Sequence, residues 1–241
     1  MKIHYVTEPF KLSEIPLKDV YVFDDFLSSE MHRAIDSHIT RSSMWSKTNQ
    51  VRGDSPTGLS HHSFWGATYF RGVEGGSKKI TDSDMKPSDS YLAQWFNRKI
   101  QTDFGFQWVR FQYMGLNSQT QGLQGTTHAD CSPEDEWNLS FLYYTNKFWN
   151  KEWGGSLRFY DEMQQGIDGR DEHIKNHQIG EVEFKPNRLL MFDGRIPHGA
   201  DAPSPKARYI DRKSIVLRGD EIRLIKDTSE WFHANDRIYN I

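Results

Sequence analysis

Between Gln107 and Gly219 the chain breaks into eight short segments of strand character, a pattern that few folds accommodate. The runs are 107–114, 126–131, 137–145, 156–160, 178–184, 188–193, 198–202 and 212–219. Turn formers such as Gly115, Pro133, Gly154-Gly155, Pro186, Gly194, Pro203 and Pro205 separate them. So many short strands, with no helical pattern between most of them, predict a mainly β fold. The architecture expected is a double-stranded β-helix, or jelly roll, rather than an alternation of strands and helices. The aromatic content, 8 Trp, 10 Tyr and 15 Phe, suits a β-rich body with an aromatic-lined cavity.

Residues 1–106 read as support for that core. Val20 to Phe26 form a short strand entering a turn, and Ser28-Ser29 then cap a helix whose stripe is Leu27, Met31, Ile35 and Ile39. A second helix is expected over 89–101, with Leu92, Trp95, Phe96 and Ile100 on one face. Amphipathic helices must bury their stripes, so both should cover one side of a sheet. Between them, residues 46–90 are rich in Gly, Ser, Asp and Pro, with aromatics at Phe64-Trp65 and Tyr69-Phe70; part of this stretch reads as a lid loop. Residues 162–177 are a polar insertion, and 220–241 form a C-terminal tail with Trp231 and Phe232. All 241 residues are expected to form a single domain.

A formal charge of −3 gives no nucleic-acid footprint. The lone cysteine, Cys131, excludes an intrachain disulfide and suits a reducing compartment. No apolar run approaches the ~20 residues of a membrane span, and the first residues lack the apolar core of a signal peptide. A soluble cytoplasmic protein without membrane partners is the expectation.

The chemistry concentrates at His128-x-Asp130. On an extended strand, side chains two apart share a face, so both reach one point. With His198, 70 residues on, they make two imidazoles and a carboxylate. That donor set occupies one face of an octahedron and leaves other positions open, as in non-haem Fe(II) sites. Along the last run Arg212, Ser214 and Val216 alternate onto one face, which sends a guanidinium and a hydroxyl inward. A buried guanidinium needs an anion, and its fork suits a carboxylate. Other candidates read differently. His61-His62 are adjacent and point apart on a strand; His173 and His177, four apart, lack a third ligand; Cys131 alternates away from Asp130 and reads as packing.

These pieces stand in a recognisable order: His128-x-Asp130, Trp137-Asn-Leu-Ser-Phe-Leu-Tyr-Tyr-Thr-Asn146, Gly154-Gly-Ser-Leu-Arg-Phe-Tyr160, Pro186-Asn-Arg-Leu-Leu-Met-Phe192, His198 and Arg212. The chain resembles the Fe(II)- and 2-oxoglutarate-dependent dioxygenases, in their prolyl 4-hydroxylase-like branch. The resemblance spans about 107–219, with a weaker likeness at Val22-Phe-Asp-Asp-Phe-Leu27. It implies that His128, Asp130 and His198 hold Fe(II) and that Arg212, with Ser214, binds the distal carboxylate of 2-oxoglutarate. Tyr144 would contact the same carboxylate, and Tyr113, two before Gly115, would line the cavity. Dioxygen is the implied co-substrate, with ascorbate a further candidate cofactor. The implied reaction hydroxylates an unactivated C–H bond, peptidyl proline first, and releases succinate and CO2. Small molecules and other protein side chains are alternative substrates. Asp130 favours hydroxylation over halogenation, since halogenases of this type lack the carboxylate. One departure is spacing: Arg212 lies fourteen residues after His198, whereas the family's basic residue usually comes nine or ten after; Arg208, at ten, is therefore the alternative. A reading from another class is a non-catalytic, cupin-like binding module, which needs neither the inward arginine nor the carboxylate ligand.

Overall fold

The computed structural model describes residues 1–7, 19–42, 45–50, 63–71, 91–125, 127–131, 138–161 and 177–224. In chain order its elements are β1 (Ile3–Val6), β2 (Val20–Phe23), α1 (Ser29–Thr40), β3 (Ser46–Gln50), β4 (Ser63–Arg71), α2 (Tyr91–Phe104), β5 (Phe106–Gln119), β6 (Asn138–Tyr144), β7 (Leu157–Tyr160), β8 (Gln178–Val182), β9 (Leu189–Asp193), β10 (His198–Ala200) and β11 (Arg212–Leu224). An eight-stranded sheet runs β1-β2-β9-β6-β11-β5-β4-β3, and a three-stranded sheet runs β10-β7-β8. The mainly β, jelly-roll expectation holds.

The period of two along each strand divides the buried side chains between two cores. Leu139, Phe141 and Tyr143 on β6, Leu189 and Met191 on β9, and Ile215 and Leu217 on β11 pack with Ile35, Ile39, Phe96, Ile100 and Phe104 of the helices. Leu142 and Tyr144, Leu190 and Phe192, and Val216 point the other way and meet Leu157, Phe159 and Val182 of the small sheet. The large sheet is therefore buried on both faces, by helices on one and by the second sheet on the other, and the space between the two sheets is where a cavity can open. Both helices cover the same side, as their stripes require.

Several local expectations change. Helix α1 begins after Ser28, whose Oγ accepts from the Met31 amide at 3.3 Å. Met31 is exposed, and His32 takes its place on the buried side, bonded through Nδ1 to the Tyr143 hydroxyl at 2.6 Å and through Nε2 to the Asn146 carbonyl at 3.0 Å. Gly115 is not a turn but lies inside β5, opposite Val216. Within 46–90, β3 and β4 extend the large sheet and Phe64 is buried; 51–62, with His61-His62, and 72–90 lie outside the described residues. Residues 162–176 and 225–241, with His173, Trp231 and Phe232, lie outside them too. Among the described residues no helix is long and apolar enough to cross a membrane.

Asn187 joins the support layer to the barrel. It precedes β9 with φ 60°, a conformation asparagine tolerates better than most residues. Its Oδ1 accepts from the Leu27 amide and the Tyr143 hydroxyl, each at 3.0 Å, and its Nδ2 donates to the Leu27 carbonyl at 2.8 Å. The Asn187→Ala variant loses all three bonds while buried polar partners remain. It should lower unfolding stability by about 2–4 kcal/mol, read by urea denaturation.

Candidate active site

The large and small sheets meet at one open end, and the three motif side chains gather there. His198 opens β10, paired with Phe159 of β7. His128 is not on a strand, contrary to the expected run 126–131; it forms a single antiparallel bridge to His198. The two residues exchange both backbone hydrogen bonds at 2.9 Å, which sets the imidazoles side by side with ring centroids 4.6 Å apart. The chain then bends. The Asp130 amide donates to the Gly194 carbonyl at 2.7 Å, and this second tether brings the carboxylate to the same point without strand alternation.

One ligand atom from each of His128, Asp130 and His198 lies within 4.8 Å of the others. His128 Nε2 is 3.5 Å from Asp130 Oδ1, and His198 Nε2 is 3.6 Å from Oδ2. Ligands at right angles on a cation with bonds of roughly 2.1 Å stand ~3 Å apart, so a small inward movement completes a facial set. His198 Nδ1 donates to the Ile196 carbonyl at 2.9 Å, leaving Nε2 with its lone pair for a metal. Asp130 Oδ2 accepts the Ser140 hydroxyl at 2.5 Å. Oδ1 is buried against the Arg218 guanidinium, 2.5 Å from its Nη2, so the carboxylate is held ionised between a hydroxyl and a cation. Two nitrogen donors and a carboxylate suit iron, so the residues present fit the group that the donor pattern implies.

The protonation states agree with this use. Burial alone would raise the Asp130 carboxyl, but the guanidinium of Arg218 and the imidazoles of His198 and His128 outweigh it and hold it well below the usual range. Burial pushes His198 down to about 4, against the pull of Asp130. An ionised Asp130 and a neutral His198 are what a cation needs.

Arg212 is buried at the start of β11, 3% exposed. Its Nε donates to the Gly155 carbonyl at 2.7 Å and its Nη2 to the Tyr144 hydroxyl at 3.3 Å. The guanidinium lies over the rings of Tyr144 and Phe184, at 4.9 and 5.0 Å from their centroids. Among the described residues no carboxylate pairs with it, and the buried Ser214 Oγ two residues on is also without a partner. Arg208 is exposed at the end of the 3-10 turn Pro205–Ala207. A cation kept in the interior without a counter-ion costs several kcal/mol, and a bound anion would offset that.

The chain is similar to known proteins in sequence profile and in fold. The sequence profile of the 2OG-Fe(II) oxygenase superfamily matches residues 113–217, which include Asp130, His198 and Arg212. Over this stretch the chain resembles that superfamily. Among solved structures the chain is similar in fold to a Pseudomonas putida prolyl-4-hydroxylase, at 15% identity and TM-score 0.50, over 86% of this chain and 92% of that one. It is also similar to a 2OG-Fe(II) oxygenase family oxidoreductase from Burkholderia pseudomallei, at 13% identity and TM-score 0.52, over 83% and 84%. A third is the non-heme alpha-ketoglutarate-dependent carbocyclase SnoK from nogalamycin biosynthesis, at 10% identity and TM-score 0.54, over 93% of both chains. No curated protein sequence matches it.

Two glycines make room for candidate site residues. Gly155 has φ 81°, and a Cβ there would stand 3.1 Å from Arg212 Cδ; the second glycine of the pair thus lets the arginine lie flat against the backbone. At Gly115 a Cβ would fall 2.0 Å from the Tyr113 hydroxyl and 2.4 Å from its Cζ, so the Tyr113 ring lies along its own strand over the glycine. Two contributors were not foreseen. Ser140 holds Asp130, and Arg218 places Nη2 2.5 Å from Asp130 Oδ1. Ser140 and Tyr113 both pair with Arg218 across the sheet, so one row over three strands reaches the carboxylate. The alternation of Arg212, Ser214 and Val216, continued by one step, points to Arg218; no sequence signal marks Ser140. Cys131 is half-buried beyond Asp130, and His177 is exposed, 3.5 Å from Asp161.

The depressed pKa of His198 predicts a direction for acid sensitivity. The unfolded chain takes up a proton near the ordinary value of 6.5, whereas the folded site stays neutral until about 4. The unfolded state then binds more protons, so metal-free protein should lose stability as pH falls from 6.5 to 4. Thermal unfolding in chelator should show this loss, and the His198→Asn variant should show a shallower one.

Proposed function

We propose that the protein hydroxylates an unactivated C–H bond, with Fe(II) held by His128, Asp130 and His198 and 2-oxoglutarate held through its distal carboxylate by Arg212. The observation that carries the second half is the buried Arg212 guanidinium, stacked on two rings and without a counter-ion among the described residues. Its unspent donors are a binding site for a carboxylate of the co-substrate. Tyr144, whose phenol burial keeps neutral, donates or accepts beside it, and Ser214 Oγ offers a further hydrogen bond. Tyr113 lines the cavity. When bound, ferrous iron with 2-oxoglutarate would supply the oxidising chemistry, by which dioxygen, 2-oxoglutarate and the substrate C–H become succinate, CO2 and the hydroxylated product, one oxygen atom going to succinate and one to the product.

The chain's own residues do the remaining work. Asp130 stays ionised and would offset part of the cation's charge, while the imidazoles would supply neutral nitrogen donors. Ser140 and the Gly194 carbonyl fix its carboxylate in direction, and the Ile196 carbonyl fixes the His198 tautomer. Phe159 and Phe192 border the His198 ring and keep water from that side. Peptidyl proline is the first substrate class to try, on the likeness to the Pseudomonas putida enzyme, and small molecules are the second, on the likeness to the carbocyclase. The lone cysteine suits work in a reducing cytoplasm. Ascorbate is the reductant to include in assays.

The test is 2-oxoglutarate-dependent succinate formation in air with added Fe(II), on prolyl peptides and a metabolite set. His128→Ala and Asp130→Ala should abolish it. Arg212→Ala should weaken 2-oxoglutarate binding by about 30-fold or more, since truncating one partner of a buried charge pair costs about 2–5 kcal/mol; Arg212→Lys should retain part of it and Arg208→Ala should bind normally. Loss in Arg208→Ala with retention in Arg212→Ala would assign the carboxylate to the other arginine. No succinate and no anaerobic binding of Fe(II) would leave the cupin-like binding module as the better reading.

A further inference from the structure

Strand β6 ends at Tyr144, which stands opposite Ser214 of β11. The next amide along, that of Thr145, donates to the Lys213 carbonyl at 3.1 Å. One step further in this register Asn146 faces Arg212, and its side chain carries on where the strand stops. Its Oδ1 accepts from the Lys213 amide at 2.7 Å, and its Nδ2 donates to the Asp211 carbonyl at 2.8 Å. A single amide thus grips the main chain just before and just after Arg212, while Gln119 of β5 pairs with Arg212 on the other edge. Asparagine suits the task because one short side chain ends in both an acceptor and a donor. It is buried, 3% exposed, so water does not compete for either bond. Helix α1 anchors it in turn: His32 Nε2 donates to the Asn146 carbonyl at 3.0 Å, and Asp36, one turn later, takes Lys213 Nζ at 2.8 Å.

On the reading proposed above, in which Arg212 binds the distal carboxylate of 2-oxoglutarate, we infer that Asn146 is a positioning residue for the co-substrate: by pinning the main chain on both sides of Arg212, it sets where the guanidinium meets that carboxylate. The approach to Arg212 needs such a clamp. From His198 the chain passes through the 3-10 turn Pro205–Ala207 and through Arg208 at φ 53°, an irregular path that does not itself fix the register of the strand it enters. The arginine side chain has little slack of its own, since its Nε is committed to the Gly155 carbonyl at 2.7 Å and its guanidinium lies over the rings of Tyr144 and Phe184. Its tip therefore follows its backbone. Fork-shaped recognition of a carboxylate depends on direction, and a displacement of about 0.5 Å is enough to degrade a site of this kind.

The full chain loaded with Mn(II) provides the test, with 2-oxoglutarate and 2-oxovalerate as ligands. Both are 2-oxo acids of the same chain length, but only the first carries a distal carboxylate. Paramagnetic broadening of ligand protons measures the two affinities, and urea unfolding checks that each variant is folded. Wild type should prefer 2-oxoglutarate by about tenfold or more, as a buried charge pair requires. Asn146→Ala should cut that preference by about fivefold while leaving 2-oxovalerate binding nearly unchanged. Asn146→Asp keeps the acceptor for Lys213, loses the donor to Asp211, and should also show a reduced preference. In Arg212→Ala the preference should vanish, and adding Asn146→Ala should change nothing more. An undiminished preference in folded Asn146→Ala, or in Asn146→Asp where the alanine variant does not fold, overturns the proposal. An equal loss of both ligands, the mark of general loosening, overturns it too. A preference that persists in Arg212→Ala overturns the assignment of the arginine, and the role of Asn146 with it.

Discussion

Strand β11 has to satisfy two cores at once, and most of the molecule is arranged around that requirement. It pairs with β5 on one side and β6 on the other, so its backbone is hydrogen-bonded along both edges and its register is fixed twice. Ile215 and Leu217 are spent on the helices. The opposite face carries Arg212, Ser214, Val216 and Arg218, of which only Val216 is apolar. A one-residue slip would drive two arginines into the helical core and lift two aliphatic side chains into the cavity. The strength of the helical core is thus what holds the polar face of the strand in place.

The opposite wall is built more lightly. Two imidazoles are brought together by one isolated bridge and a carboxylate by one further backbone hydrogen bond. Short, irregular backbone of this kind serves a site well when the metal itself adds the missing restraint. The large sheet supplies what is fixed beforehand, namely the direction of the Asp130 carboxylate through Ser140 and the buried guanidinium of Arg212.

The amphipathic stripes and turn residues made the helix pair and the jelly roll readable, and seven of the eight expected runs between 107 and 219 are strands; β1, β3 and β4 were not anticipated. His198 and Arg212 could be placed from strand alternation. For His128 and Asp130 the same argument reached the right neighbourhood by the wrong geometry, since a bridge and a bend replace the strand there. Gly115 misled because a glycine in a strand reads as a break, whereas here it gives room to an aromatic ring two residues earlier. His32 replaced Met31 in the core because the partners that make its burial tolerable, the Tyr143 hydroxyl and the Asn146 carbonyl, lie more than a hundred residues away. Ser140 and its bond to Asp130 were hidden for the same reason, being a matter of which strands lie side by side.

The ring of Tyr113 lies along its own strand because position 115 has no side chain. The floor of the cavity is therefore set by a residue that does not line it. A methyl group at 115 would displace this ring, on which the Arg218 guanidinium rests, with no change to His128, Asp130 or His198. Chemistry and access are in this way governed by different positions, so the range of molecules admitted can drift while the reaction stays the same.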